Sequence, residues 1–204
     1  SKPYFENKEQ LPNDLALLEI QELIDSLNLN YPDLIWTPRI KFGGIMDVPD
    51  KEGNTKSQGP GIGLAIALQN TKSDELKRLQ LSKSLRKGNL PTESGEILLS
   101  DNYANKLKIN PGEKITFFGS TMEGSMVFQS YKMVGTVEFG SPLMDRGTFI
   151  IDIEDAQNLD KAMSDLGFIV KIYDNLKTWE IMAKIKKYSN STSNSKTNAL
   201  GMAY

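Results

Sequence analysis

Gly88-Asn89-Leu90-Pro91-Thr92-Glu93-Ser94-Gly95-Glu96-Ile97-Leu98-Leu99-Ser100-Asp101-Asn102-Tyr103-Ala104-Asn105-Lys106-Leu107-Lys108-Ile109-Asn110-Pro111-Gly112-Glu113-Lys114-Ile115-Thr116-Phe117-Phe118 reads as strand, short helix, tight turn, strand. Gly95 opens the compact apolar run Ile97, Leu98 and Leu99, which has the length of a buried strand. Ser100 and Asp101 offer oxygens to cap a helix, and Tyr103, Ala104 and Leu107 fall three and four apart on one helical face. A helix of about two turns must be held by packing, because propensity alone does not stabilise so short a segment. Asn110-Pro111-Gly112-Glu113 places proline where φ is near −65° and glycine where φ is positive, the demand of a type II turn. Nothing in this stretch is equipped for chemistry.

Outward from it, the 204-residue chain is 39% apolar and 25% charged, as soluble globular domains are. With 24 basic and 26 acidic residues the net charge is only −2, too small to steer nucleic acid or anionic lipid. There is no cysteine, which removes disulfides, thiolate metal sites and cysteine nucleophiles. There is no histidine either, so the Ser-His-Asp triad and the usual base near neutral pH are excluded. Any catalysis would rest on carboxylates, lysine or tyrosine. We expect no enzyme, no catalytic residue, no cofactor and no metal. No apolar run reaches the roughly 18 to 20 residues that span a bilayer, and no secretory signal opens the chain.

In chain order, residues 11–28 predict a helix with Leu17, Ile20, Leu23, Ile24 and Leu27 on one face and Asn13 or Asp14 at its cap. Residues 34–45 predict a strand broken by Pro38 and closed by Gly43-Gly44, followed by a polar loop over 47–60. Residues 62–68 predict a strand whose small residues Gly63, Ala65 and Ala67 imply close packing on one face. Two short helical pieces are expected over 71–87. A glycine and serine tip over 119–125 then precedes a strand over 126–139 with Val127, Tyr131, Met133, Val137 and Phe139 on one face and a bulge at Gly135. Residues 140–147 read as a loop, 148–153 as a strand, 154–164 as a helix, 168–173 as a strand, 175–188 as a helix and 199–204 as a last strand. The fold class is α+β.

Candidate sites are few. Gly59-Pro60-Gly61-Ile62-Gly63 resembles a phosphate loop only superficially, since a loop precedes it and a strand follows. Asp145 with Asp152, and Glu154-Asp155, invite a paired-carboxylate reading, but acids at a helix start also complement its dipole. Lys184, Lys186 and Lys187 near Trp179 read as a solvated helix end. Phe139, Pro142, Leu143 and Met144 are the one group of large apolar residues in an expected loop, and they form the candidate partner contact.

The ordered set Lys87-Gly88-Asn89-Leu90, Gly95-Glu96-Ile97-Leu98-Leu99-Ser100, Tyr103-Ala104, Leu107, Pro111-Gly112-Glu113-Lys114-Ile115, Met133-Val134-Gly135, Asp145 and Ile151-Asp152-Ile153-Glu154-Asp155-Ala156-Gln157-Asn158-Leu159 resembles the extracytoplasmic domain of the MacB/LolC/LolE/FtsX-like ABC transporter permeases. The resemblance covers about half the chain. It implies a MacB-like periplasmic domain with a Porter-like α+β subdomain built from both chain ends, residues 1–70 plus 165–204, and an inserted β-rich Sabre-like subdomain, residues 71–164. It further implies a place at the cell inner membrane on the periplasmic side. The partners implied are a second permease copy, as homodimer or heterodimer, a cytoplasmic ATP-binding subunit or domain, and an envelope protein or lipoprotein. The function implied is transmission of ATP-driven motion for efflux, lipoprotein release or cell-envelope control. The chain departs from the lipoprotein-releasing pattern in two places: residues 119–125 lack a proline-bearing hook, and Ile66-Ala67-Leu68-Gln69 lacks the usual Gly-x-Asp. A free secreted or periplasmic binding module is the alternative.

Overall fold

The computed structural model describes residues 20–70, 73–120 and 126–158. Among them are helices α1 (Ile20–Asn30), α2 (Glu75–Arg78), α3 (Leu81–Ser84), α4 (Asp101–Leu107), α5 (Pro142–Asp145) and α6 (Ile153–Asn158). The strands are β1 (Ile40–Pro49), β2 (Thr55–Ile66), β3 (Leu85–Gly88), β4 (Glu96–Ser100), β5 (Lys114–Ser120), β6 (Met126–Val137) and β7 (Thr148–Asp152). The protein is mixed α+β, and its centre is a closed barrel of six strands. Going round, β6, β4, β7, β2, β1 and β5 are neighbours, and β5 closes back on β6. Closure leaves these six strands without a free edge. β3 extends the sheet outside the ring, pairing with β6 above the level where β5 leaves it.

Alternation along each strand fills the barrel with side chains, so it has no lumen. Phe42, Phe117 and Phe149 meet at its centre, with ring centroids 5.2, 5.4 and 5.7 Å apart and the Phe42 ring edge-on to the other two. Ile97 and Leu99 of β4 point into the same cluster, whereas Leu98 between them points out to a second one. This is why the uninterrupted apolar run is a strand buried on both faces. The small residues of β2 are explained by the same rings: a Cβ on Gly63 would fall inside the Phe42 ring, and one on Gly61 would press on Phe149. The second cluster lies outside the barrel, where Leu76, Leu79, Leu81 and Leu85 cover Ile66, Leu98, Val137 and Ile150.

The central stretch folds as its residues dictate. β4, α4 and β5 follow in order, and α4 buries Tyr103, Ala104 and Leu107. Gly112 has φ +98° and the Glu113 N–H donates to the Asn110 carbonyl at 3.1 Å, which makes the expected type II turn. Ser100 is the N-cap residue, but its hydroxyl donates to the Asp145 carbonyl at 2.8 Å and not to the helix. A long-range partner has outcompeted the local one.

Several expectations are corrected. The strand expected to end at Gly43-Gly44 starts after Pro38 and runs through both glycines to Pro49. Gly44 is required there because the Phe117 ring occupies the space of a Cβ. The polar loop expected over 47–60 is instead the turn and first half of a long hairpin, with Pro49 facing Thr55 and Ile40 facing Ala65. Its polarity reflects exposure of β2 near the turn. Val137 does not share a face with Met133: Ile97 faces Met133 while Leu98 faces Gly135, so the bulge at Val134 turns Val137 to the outer cluster. Residues 40–66, assigned to a Porter-like part ending at residue 70, supply two of the six barrel strands, so no seam separates them from residues 96–152. The proposed helix start at Asn13 or Asp14, the 119–125 tip beyond Ser120 and everything expected over 159–204, residues 165–204 and the lysine cluster included, lie outside the described residues.

Candidate functional site

The direction of each strand fixes which loops share an end of the barrel. β1, β4 and β6 run one way and β2, β5 and β7 the other. The chain enters β1 and leaves β7 at one end. The 50–54 turn, α4 and the 138–147 segment lie at the opposite end, and Tyr103 is fixed there by its hydroxyl donating to the Gly59 carbonyl at 2.8 Å. Burial raises the Tyr103 phenol well above its ordinary value, so it stays a donor.

The four expected contact residues are split by the fold. Phe139 is half-buried against the outer cluster, Met144 is half-buried, and Pro142 and Leu143 are exposed, Leu143 at 68%. Asp145 holds this loop in shape. It is buried, its carboxylate accepts the Phe139 N–H at 2.9 Å, and its own N–H donates to the Ser141 carbonyl at 2.8 Å. Only Pro142 and Leu143 therefore present an apolar tip to solvent.

The carboxylates read from the sequence are staples between chain segments. Asp152 accepts the N–H groups of Leu68 and Gln69, both at 2.9 Å, and of Glu154 at 2.8 Å. Asp155 accepts the Ser94 hydroxyl and the Gly95 N–H. Each acid is spent on a backbone turn, and Asp145 and Asp152 sit at opposite ends of β7. Among the described residues no group of three or more metal-ligating side chains converges. Gly59 to Gly63 lie within β2 and form no phosphate loop.

Two further carboxylates have lowered pKa values. In Glu96 the hydrogen bond from the Thr92 N–H lowers it most, helped by the Glu93 N–H and Lys132 against the opposing effect of burial. In Asp101 burial acts upward, but hydrogen bonds from Thr136, Lys87 and Asn105 and the Lys87 charge together outweigh it. A carboxyl lowered in the folded state adds stability that is complete above its unfolded value, about 4, and drains away as pH falls through the lowered folded value. Unfolding midpoints measured from about pH 6 to about pH 2 are expected to fall on the acid side, and Glu96→Gln with Asp101→Asn to flatten that fall. An acid limb of unchanged slope in the double variant would remove these two groups from the account.

Two surface features were not anticipated. One is a cleft of about 700 Å³ in the gap where β6 changes partner from β5 to β3, lined by Leu85, Gly88, Leu90, Glu96, Lys132 and Val134. The other is an apolar band across four adjacent strands. Pro60 faces Ile45, Ile45 faces Phe118, and Phe118 faces Phe128, all on the outer side. The signal was available in the sequence: Phe117 and Phe118 occupy opposite phases of β5, and Phe128 falls on the phase opposite to Val127 and Tyr131. Without the barrel, nothing indicated which phase would face solvent. No family model and no curated protein matches this chain.

Proposed function

We propose that this chain is the extracytoplasmic domain of an ABC transporter permease of the MacB/LolC/LolE/FtsX-like type. In this reading it passes ATP-driven motion of membrane helices to a substrate or partner outside the membrane, in efflux, lipoprotein release or cell-envelope control, and does no chemistry itself. The observation that carries the proposal is the placement of the two connections. Ile40 at the start of β1 faces Ala65, and Ala65 faces Ile151 near the end of β7. Two strand spacings, about 10 Å, separate where the chain enters the barrel from where it leaves. A domain hung between two membrane segments needs both connections at one end. The filled barrel favours the same reading, because a close-packed interior does not deform and displacement applied at the connections reaches the Leu143 loop as rigid-body movement.

In this reading the barrel, from residue 40 to 152, is the Sabre-like part, and the chain on either side of it contributes to a Porter-like base. The partners are a second permease copy, a cytoplasmic ATP-binding subunit or domain, and an envelope protein or lipoprotein met outside the membrane. The place is the inner membrane, with the domain on its periplasmic side. These 204 residues hold no cysteine, so in the complete gene, with any cysteine encoded outside them replaced by serine, Leu143→Cys gives a unique label site. A membrane-impermeant maleimide is expected to label it in spheroplasts before lysis, with the label staying in the membrane fraction. Labelling only after lysis would end the proposal. The cleft beside Glu96 and Lys132 supports a second reading, a free periplasmic or secreted binding module. Release of the labelled protein in soluble form by osmotic shock would favour that one.

A further inference from the structure

Where β6 changes partner from β5 to β3, the sheet leaves the cleft of about 700 Å³, a volume within the range of small-molecule sites. Its walls are apolar. Leu85 and Leu90 stand on the β3 side, Pro111 on the turn before β5, and Val134 on β6, and all four are partly buried. Gly88 and Gly112 add backbone without side chains, so the cleft stays open above Val134. Its charged groups are Glu96 and Lys132.

These two groups are unequally engaged. Glu96 Oε2 accepts the Thr92 N–H at 2.8 Å, the Glu93 N–H at 3.2 Å and the Thr92 hydroxyl at 3.4 Å, which fix the carboxylate in place. The other oxygen, Oε1, has only the Lys132 ammonium at 3.8 Å, an ion pair too long to be a hydrogen bond. Among the described residues Lys132 Nζ makes no hydrogen bond, and its side chain is 61% exposed. Other charges nearby are matched: Arg86 with Glu138, Lys87 with Asp101, and Lys56 with Glu113. Lys114, facing Lys132 across β5 and β6, and Glu93, next to Thr92, are exposed and add one charge of each sign outside the lining. The cleft therefore favours a ligand without net charge.

We propose that this cleft binds a free α-amino acid with a large apolar side chain. The ammonium group donates to Glu96 Oε1, and the carboxylate accepts from Lys132 Nζ. These two ends of an α-amino acid lie about 3 Å apart by covalent geometry, close to the 3.8 Å between the oxygen and nitrogen that receive them. One long ion pair becomes two charge-assisted hydrogen bonds, and the local charge is unchanged. The side chain lies against Leu85, Leu90, Pro111 and Val134, where a leucine or phenylalanine removes apolar surface from water and an alanine removes little. The inference goes beyond the permease reading, because it concerns what the cleft holds wherever the chain resides. Maleimide labelling decides the location, and titration of the purified chain decides the ligand.

The test is a two-dimensional amide NMR titration of the 15N-labelled 204-residue chain with L-phenylalanine, from about 10 µM to about 10 mM. Saturable shifts are expected at residues 88–92, 111–113 and 132–134. L-Alanine, and N-acetyl-L-phenylalaninamide, which lacks both charges, are expected to bind tenfold or more weakly. Lys132→Met is expected to raise the dissociation constant for L-phenylalanine by a similar factor. Lys132 is exposed, so this variant should keep the parent's melting curve. Phe128→Ser, on β6 outside the cleft, should bind as the parent does. No saturable shift up to the highest concentration, shifts centred on Phe118 and Phe128, a capped amide or L-alanine binding as tightly as L-phenylalanine, or a Lys132→Met variant with the parent's affinity would each overturn the proposal.

Discussion

Phe149→Ala is expected to cost about 3–5 kcal/mol, a large part of the stability of a single domain. The ring is fully buried and lies 5.4 Å from Phe42 and 5.7 Å from Phe117, so its removal leaves a void at the centre of the barrel. Closure is what makes this position costly. An open sheet can close over a lost side chain by shifting one layer, but six strands bonded in a ring hold their walls apart. The measurement is the denaturant midpoint at constant m value, with Phe128→Ala as comparator. Phe128 is 72% exposed, and its truncation in the monomer should change stability by no more than about 0.5 kcal/mol. A loss below about 1 kcal/mol at Phe149 would mean that the barrel collapses around the gap and is not the stiff body the proposed function needs.

Arg39→Ala is expected to cost a similar amount, about 3–5 kcal/mol, for an electrostatic reason. Arg39 Nε donates to Glu75 Oε2 at 2.6 Å, and the side chains are 10% and 0% exposed. Removing the guanidinium leaves a carboxylate away from water with its main partner gone. The pair ties the segment before β1 to the start of α2, two parts of the chain 36 residues apart. Replacing both residues at once, as in Arg39→Met with Glu75→Leu, should recover most of the loss, because two apolar groups of similar volume leave nothing uncompensated. The comparison of single and double variants in denaturant unfolding checks this. A double variant no better than Arg39→Ala would show that Glu75 has been stabilised by other groups.

How far the sequence could be read is visible in particular residues. The stretch from Gly95 to Phe118 was legible because each of its decisions is local: an apolar run too short for a buried helix, a three-and-four spacing at Tyr103, Ala104 and Leu107, and a proline-glycine pair at Pro111 and Gly112. The hairpin of β1 and β2 was not. Gly43, Gly44, Gly59, Pro60 and Gly61 are punctuation by local rules, yet the strands run through them, and at Gly44, Gly61 and Gly63 the rings of Phe117, Phe149 and Phe42 fill the space where a side chain would be. The face of Val137 was misread for a related reason. Period-two alternation assumes an unbroken ladder, and the shift between Ile97 and Leu98 against β6 exists only once β4 has been laid beside it.

The candidate site divides in the same way. Composition singled out Leu143 and the structural use of the carboxylates at Asp145, Asp152 and Asp155, but where a loop was expected Leu143 sits in the short helix α5. The exposed band at Ile45, Phe118 and Phe128 was not, because these residues come from three strands that meet only by register. By itself the sequence determined the α+β class, the order of β4, α4 and β5 and the turn at Gly112, since each rests on backbone preference and spacing within about a dozen residues. Tertiary structure alone decided that the strands close into a ring, that the chain enters and leaves it at one end, and which aromatic residues face water. These depend on pairing between separate strands, with partners as far apart as Ile62 and Thr148, and the free energy of such pairing lies in shared burial that no single segment contains.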